Sequence, residues 1–433
     1  MGPVISVIAP VTDAPRPDLP NQDLPGQDRP EDAAARSGAL RSRTLTSRIV
    51  FYLPGFDPRE PETYWGLFRR EARLTASRRG VEIAVGDPVR SADGLELAWT
   101  VQSRGVATRY VLLRWEDIVR ARFPQSGWAR LRGVPTLLWR LWRSGYAADL
   151  RREGWRFSTV IFGVHVIYLA LVGLSLALAG GLAALAPAAL QPWPLLAVPP
   201  LAYAILAGLM RATRGKPLYV SHLVDDTAFT HAHAAGEAPE IAPRLDAFAA
   251  RIRAAEGQAD EVVVVGHSSS SFLGIEVLDR VLARDPGFGT RGTPVSFVSI
   301  GSVIPWLGLD PAAQGFRDAL LRFGQARQIR WLDVRAPWDW LSIHAQNPLA
   351  ACALTPPDPE RPAVLGVMIN DLITGADVRR RQWNLFQMHF QLLMASQSVG
   401  GFDYLDLMTG PEPVHALVSQ CRGNDLSRTA DDA

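Results

Sequence analysis

From residue 157 to residue 210 the chain carries no Asp, Glu, Lys or Arg. No other feature limits its folding so strongly. Backbone in so apolar a stretch must satisfy its own N–H and C=O groups, so it is helical, and protein or lipid must cover it. The first part, "STVIFGVHVIYLALVGLSLALAGGLAAL" (158–185), is long enough for a membrane-spanning helix of roughly 20 residues. The second, "PWPLLAVPPLAYAILAGLM" (192–210), is shorter, and Pro199 and Pro200 predict a kink near its start. Arg151, Arg152 and Arg156 precede the stretch, and Arg211, Arg214 and Lys216 follow it. The connecting "APAALQPW" has no positive charge. This pattern predicts a two-helix transmembrane hairpin over 157–210 with both flanks in the cytoplasm. The competing reading is a pair of buried core helices. His165 is a lone polar group in the first span and is expected to hydrogen-bond across to the second. Upstream, "WARLRGVPTLLWRLWRSGY" mixes Trp, Leu and Arg, so 128–156 reads as an amphipathic segment on an anionic surface.

The remaining residues limit what lies around the hairpin. Residues 1–46 are rich in Pro, Asp, Gln and Arg, a composition expected to form a disordered tail. They lack the basic start and apolar core of a cleaved signal peptide. The net charge of +2 gives no reason to expect nucleic acid. Cys352 and Cys421 are the only cysteines and lie far apart, so neither a disulfide framework nor a zinc pattern is expected.

On both sides of the hairpin the pattern alternates strand and helix. In "SRIVFYLPGFDPRE", the run from Arg48 to Leu53 reads as a buried parallel strand ending in a Pro-Gly turn. "PETYWGLFRREARLTAS" follows with helical spacing, placing Tyr64, Leu67, Phe68 and Leu74 on one side. "VEIAVGDPVR" and "LELAWTVQSRGVATRYVLLRW" read as strands, with turns at Asp93-Gly94 and Arg104-Gly105. After the hairpin, "PRLDAFAARIRAAEG" is an amphipathic helix closed by Gly257, and "DEVVVVGH" is a fully buried strand. "SSFLGIEVLDRVLAR" is a helix with Phe272, Ile275, Leu278 and Leu282 turned inward, and "TPVSFVSIGS" and "QIRWLDVRAP" are further strands. The fold class is therefore α/β, a mainly parallel sheet with helices on both faces, built from 47–127 and 217–425.

One short stretch suggests chemistry. Gly266-His267-Ser268-Ser269-Ser270 sits where a buried strand meets a helix. A serine at the apex of so sharp a turn needs small residues two before and two after it, and Gly266 and Ser270 qualify. The competing reading is a serine-rich helix cap. This stretch resembles the nucleophile elbow of the alpha/beta-hydrolase superfamily, whose usual form is Gly-x-Ser-x-Gly. Ser270 departs from the family's last glycine. The resemblance extends over 46–125 and 217–415 and implies Ser268 as the nucleophile. "FYLPGFDP" resembles the family's oxyanion loop, with Pro54 where a histidine is usual. It implies donors at the backbone N–H groups of Phe56 and Ser269. "IRWLDVRAPWDWLSIH" resembles the strand and loop that carry the acid, favouring Asp339 over Asp333. "WNLFQMHFQLLMAS" supplies His389, which follows the acid in the family's chain order, with His344 and His415 as rivals.

The resemblance implies a serine hydrolase of esters or related acyl groups, with no metal or organic cofactor. Thioesterase and acyltransferase chemistry belong to the same set. The hairpin adds a membrane and a lipid-like substrate, in a bacterial inner-membrane protein with its catalytic domain and both termini cytoplasmic. His231 and His233 lack further ligands in a metal pattern, and His222, Asp225 and Asp226 form no specific motif. Two other classes stay open: a catalytically inactive hydrolase-like scaffold that anchors partners at the membrane, and a transporter-associated subunit.

Overall fold

The computed structural model describes residues 45–123, 126–187, 190, 193–213, 219–344, 346–398 and 401–423. The expected tail, up to residue 44, lies outside the described residues. From Leu45 onward the chain forms one compact unit.

At its centre is a nine-stranded sheet in the order β2-β4-β5-β1-β6-β7-β8-β9, with β3 pairing to β4. Strand β1 (Ser47–Leu53) lies between β5 (Val106–Leu113) and β6 (Glu261–His267), parallel to both. Parallel pairing continues through β7 (Val295–Ile300), β8 (Ile329–Arg335) and β9 (Ala363–Gly366). Strand β4 (Glu96–Ser103) returns antiparallel beside β5, and the short β2 (Ile83–Val85) and β3 (Val89–Arg90) pair antiparallel with β4. The β4–β5 turn is Arg104-Gly105, both at positive φ (46° and 81°), as a two-residue hairpin requires.

Side chains alternate across the sheet and build one core on each face. Phe51, Val264 and Phe297 point to one side, and Tyr52, Val265 and Val298 to the other. Every residue of β6 is buried, which explains its uninterrupted apolar run. Helix α1 (Pro61–Arg79) starts with proline at its first turn and ends at Gly80 with φ 63°. Its buried stripe is Tyr64, Phe68, Glu71, Ala72 and Thr75 rather than the expected one. Leu74 is 38% exposed, while Glu71 is buried because its carboxylate accepts the Ala395 N–H at 3.0 Å.

Between β5 and β6 the chain leaves the sheet for a helical insertion. It contains α2 (Gly127–Arg143), α3 (Tyr146–Glu153), α4 (Trp155–Ala184), α5 (Val198–Thr213), α6 (Val220–Ala234) and α7 (Ile241–Ala254). Tyr146, Leu150, Phe157, Ile161, Val164, Tyr168, Val224 and Phe229 join the core on one sheet face. Strand β6 leads into α8 (Ser270–Arg284), where Phe272, Ile275 and Leu278 face inward as expected. Val281 takes the buried place expected for Leu282.

The transmembrane hairpin needs correction. Among the described residues only α4 is long and apolar enough to cross a membrane, and 33% of its most apolar stretch is buried by protein. Its first half packs into the domain core through Phe157, Ile161, Val164 and Tyr168. The return is broken: a single turn, Trp193–Leu196, precedes α5, which has 16 residues. The prolines at 199 and 200 shorten it at the start. His165 bonds back to the Ile161 carbonyl of its own helix at 2.6 Å, not across to α5. Arg214 and Lys216 lie outside the described residues. What remains is one long apolar helix whose outer half exposes Leu174, Leu176, Leu178 and Leu182.

Candidate functional site

Because β1, β6, β7 and β8 are parallel, their carboxyl ends share one edge of the sheet, where open α/β sheets bind ligands. Leu53 leads into Pro54-Gly55-Phe56, His267 into Ser268, Ile300 into Gly301, and Arg335 into the loop that carries Asp339.

Ser268 occupies the turn between β6 and α8 at φ 57°, a left-handed conformation that a side chain normally avoids. The turn is held from both sides. The Ser268 N–H donates to the Ile300 carbonyl at 3.0 Å, continuing the ladder, and the Ser271 N–H donates to the Ser268 carbonyl at 2.8 Å. Gly266 makes the turn possible. A Cβ there would overlap the Ser270 carbonyl and come within 3.0 Å of Ser271 Cα. Ser268 is half-buried, and the three serines after it are buried.

Each of those serines has a partner. Ser270 donates its hydroxyl to the Pro54 carbonyl, which also accepts from Trp115 Nε1 at 2.8 Å. Ser271 Oγ accepts the Val303 N–H at 3.0 Å. Ser269 Oγ lies 3.3 and 3.4 Å from the two carboxyl oxygens of Asp226 on α6. The Ser270 hydroxyl therefore ties the loop after β1 to the turn after β6. The result is close contact: a Cβ at Gly55 would lie 3.0 Å from Ser268 Cβ and 3.5 Å from its Oγ. The backbone N–H groups of Phe56 and Ser269 have no acceptor among the described residues.

His389 lies on a short helix, α9 (Leu385–Phe390), and its ring packs on Gly301. A Cβ at Gly301, which has φ 56°, would fall 2.6 Å from His389 Cε1. His389 Nδ1 bonds Asp339 Oδ2 at 2.7 Å, and Asp339 Oδ1 accepts the Leu341 N–H at 3.0 Å. Both residues are buried. With Nδ1 paired to the carboxylate, Nε2 is the free ring nitrogen, and it has no partner among the described residues.

The rivals lie elsewhere. Asp333 stays within β8, where it accepts from Ser299 Oγ at 2.6 Å and from Arg335 Nε at 2.8 Å. His415 bonds Glu261 at 3.1 Å, at the opposite end of β6, ~23 Å of strand from Ser268. His344 makes no side-chain hydrogen bond to Asp339. His231 pairs with Asp310 and His233 with Glu276, and among the described residues no cluster could hold a metal ion.

Three residues with no specific sequence signal belong to this neighbourhood. His267, the variable residue of the elbow, stacks on His389 at 4.8 Å and is fully buried with both ring nitrogens unpartnered. Burial, then the nearby His389 and Arg59, hold it well below the ordinary histidine range. Asp226 is pushed well above the ordinary carboxyl range by burial, against the hydrogen bond from Ser269 and helped by the charge of Asp225. His222 lies edge-on to both Phe56 (5.8 Å) and Phe386 of α9 (5.1 Å), and burial lowers it to about 4. In the loop after β1, burial alone would raise Asp57. Bidentate hydrogen bonds from Arg59 and a 2.7 Å bond from the Tyr64 hydroxyl hold it low instead.

Comparison of the chain with protein-family models, curated proteins and solved structures finds no match.

Proposed function

We propose that this chain is a serine hydrolase of the alpha/beta-hydrolase type, held at a membrane and acting on esters or related acyl groups of lipid-like molecules. The observation that carries the reading is Ser268. It sits on a left-handed turn that exists only because Gly266 has no side chain, at the same sheet edge as a buried His389–Asp339 pair whose outer nitrogen is free.

Ser268 Oγ attacks the acyl carbon and passes its proton to His389 Nε2. The Nδ1–H stays bonded to Asp339, which fixes the tautomer and stabilises the imidazolium. The developing oxyanion is met by the N–H groups of Phe56 and Ser269, each typically worth about 3–4 kcal/mol. The alkoxide leaves with the proton from Nε2, and water, activated by the same nitrogen, releases the acid. His267 beneath the ring stays neutral, so it adds no charge to oppose the imidazolium. No cofactor takes part.

The exposed outer half of α4 and the tryptophans of α2 support attachment to a bilayer. Arg151, Arg152 and Arg156 at the base of α4 favour a cytoplasmic sheet domain in a bacterial inner membrane. A non-catalytic scaffold is the second reading. It rests on the absence of a hydrogen bond between Ser268 and His389 Nε2, although such bonds often tighten only when substrate binds. Hydrolysis of p-nitrophenyl butyrate separates the two. The wild type should turn over, and Ser268→Ala should lose roughly 10⁴-fold or more in kcat. A well-folded wild type without turnover on short and long acyl esters favours the scaffold.

A further inference from the structure

Helix α2 lies across α6 and leaves a groove of about 630 Å³ between them. Its floor is apolar, with Val134, Leu137, Val224 and Ala228, and Arg130, Arg132 and Arg140 stand along it with one carboxylate, Glu237. Arg130 is already neutralised by a buried bidentate pair with Asp225, at 2.7 and 2.6 Å. Arg140 reaches Asp310 at only 3.5 Å, and that carboxylate is shared with His231 Nδ1. Arg132 is exposed and has no ion pair among the described residues. His231 also lines the groove, but its Nδ1–H is given to Asp310 and burial lowers it, so its Nε2 is an acceptor and adds nothing for an anion. The groove thus offers an uncommitted guanidinium and a partly committed one above an apolar floor. That combination suits an anion with a hydrocarbon part.

The position of the groove identifies the anion's source. The first residue of α2, Gly127, packs against Tyr203 of α5, and its carbonyl accepts from the Tyr168 hydroxyl of α4 at 3.4 Å. Beyond Tyr168, α4 runs on to Ala184, ~24 Å of helix at 1.5 Å per residue. That length carries the exposed leucines and approaches the ~30 Å of a hydrocarbon core. If it is immersed, the first turn of α2 lies at the depth of the head groups. Trp128 there is 61% exposed, and Trp139 and Trp142 are exposed on the same helix, as interfacial tryptophans are.

We propose that the α2–α6 groove is a binding site for the phosphate head group of an anionic phospholipid, with Arg132 and Arg140 as its cationic contacts. The proposal rests on the reading that α4 enters a bilayer. Its substituents differ from those at Ser268, so it is a site for a bound membrane lipid rather than for the reacting ester.

The test uses the full chain in neutral detergent and follows tryptophan fluorescence during titration with dihexanoylphosphatidylglycerol, dihexanoylphosphatidylcholine or inorganic phosphate. The phosphatidylglycerol analogue should bind saturably and more tightly than the other two. Arg132→Ala should weaken it about fivefold, and Arg132→Ala with Arg140→Ala roughly 25-fold, from about 1 kcal/mol per arginine. Arg132→Lys should retain most of the binding. Equal affinity for the two lipids, inorganic phosphate binding as tightly as the lipid, or unchanged affinity in Arg132→Glu would each overturn the proposal. Arg132 has no ion pair to lose, so its variants fold normally and keep the test decisive. Co-sedimentation with phosphatidylcholine vesicles is read separately. Failure there removes the bilayer reading, whereas failure in the lipid titration removes only the groove.

Discussion

The four consecutive serines differ in what they touch. Ser268 alone adopts a positive φ, while Ser269, Ser270 and Ser271 are committed to Asp226, the Pro54 carbonyl and the Val303 N–H. Ser270→Ala should cost about 1 kcal/mol in chemical denaturation and reduce kcat, because it unties the loop that carries Phe56. Asp339→Asn should preserve the fold and lower kcat by roughly 10⁴-fold. Asp226 gives a pH signature. Its folded carboxyl holds a proton that the unfolded chain releases near pH 4, so it binds more protons when folded. Stability should therefore fall as pH rises above that value, and Asp226→Asn should remove this part of the slope in urea titrations at pH 5 and pH 8. The tight turn after β6 was legible in the sequence because sterics restrict Gly266 and Ser270. His267 and Asp226 were not, since a variable motif position and a helix distant in sequence carry no local mark of burial.

At the scale of elements, the strands were readable wherever both faces are covered, as in β1 and β6, because full burial leaves an unbroken apolar run. Strand β9 has four residues at the sheet edge and leaves almost no pattern. Helix α6 was also hidden, although it connects two regions that matter. Asp225 holds Arg130 of α2, and its neighbour Asp226 meets Ser269. Arg130→Ala removes the bidentate partner of the buried Asp225 carboxylate and should destabilise the protein by about 3–5 kcal/mol, whereas replacing both residues with apolar ones, Arg130→Met and Asp225→Leu, should recover most of that loss. Thermal unfolding of the two single variants and the pair measures the coupling directly.

For the whole molecule, the uncharged stretch pointed correctly to apolar helices, one of them long, but hydropathy alone does not say what covers them. Part of α4 is covered by the domain's own core, and the return is too short to span. The structure is therefore an α/β domain with one long, partly buried apolar helix rather than a clear two-helix hairpin. Leu174→Asp with Leu178→Asp should shift the protein out of the membrane fraction while leaving hydrolysis of a soluble ester within about twofold, since exposed substitutions perturb stability little. The central claim concerns one hydroxyl. Exposure to a fluorophosphonate probe followed by peptide mass mapping should place a single phosphonyl adduct on Ser268, absent in Ser268→Ala and strongly slowed in His389→Ala. A folded protein that stays unlabelled, or one labelled on another serine, would contradict the account.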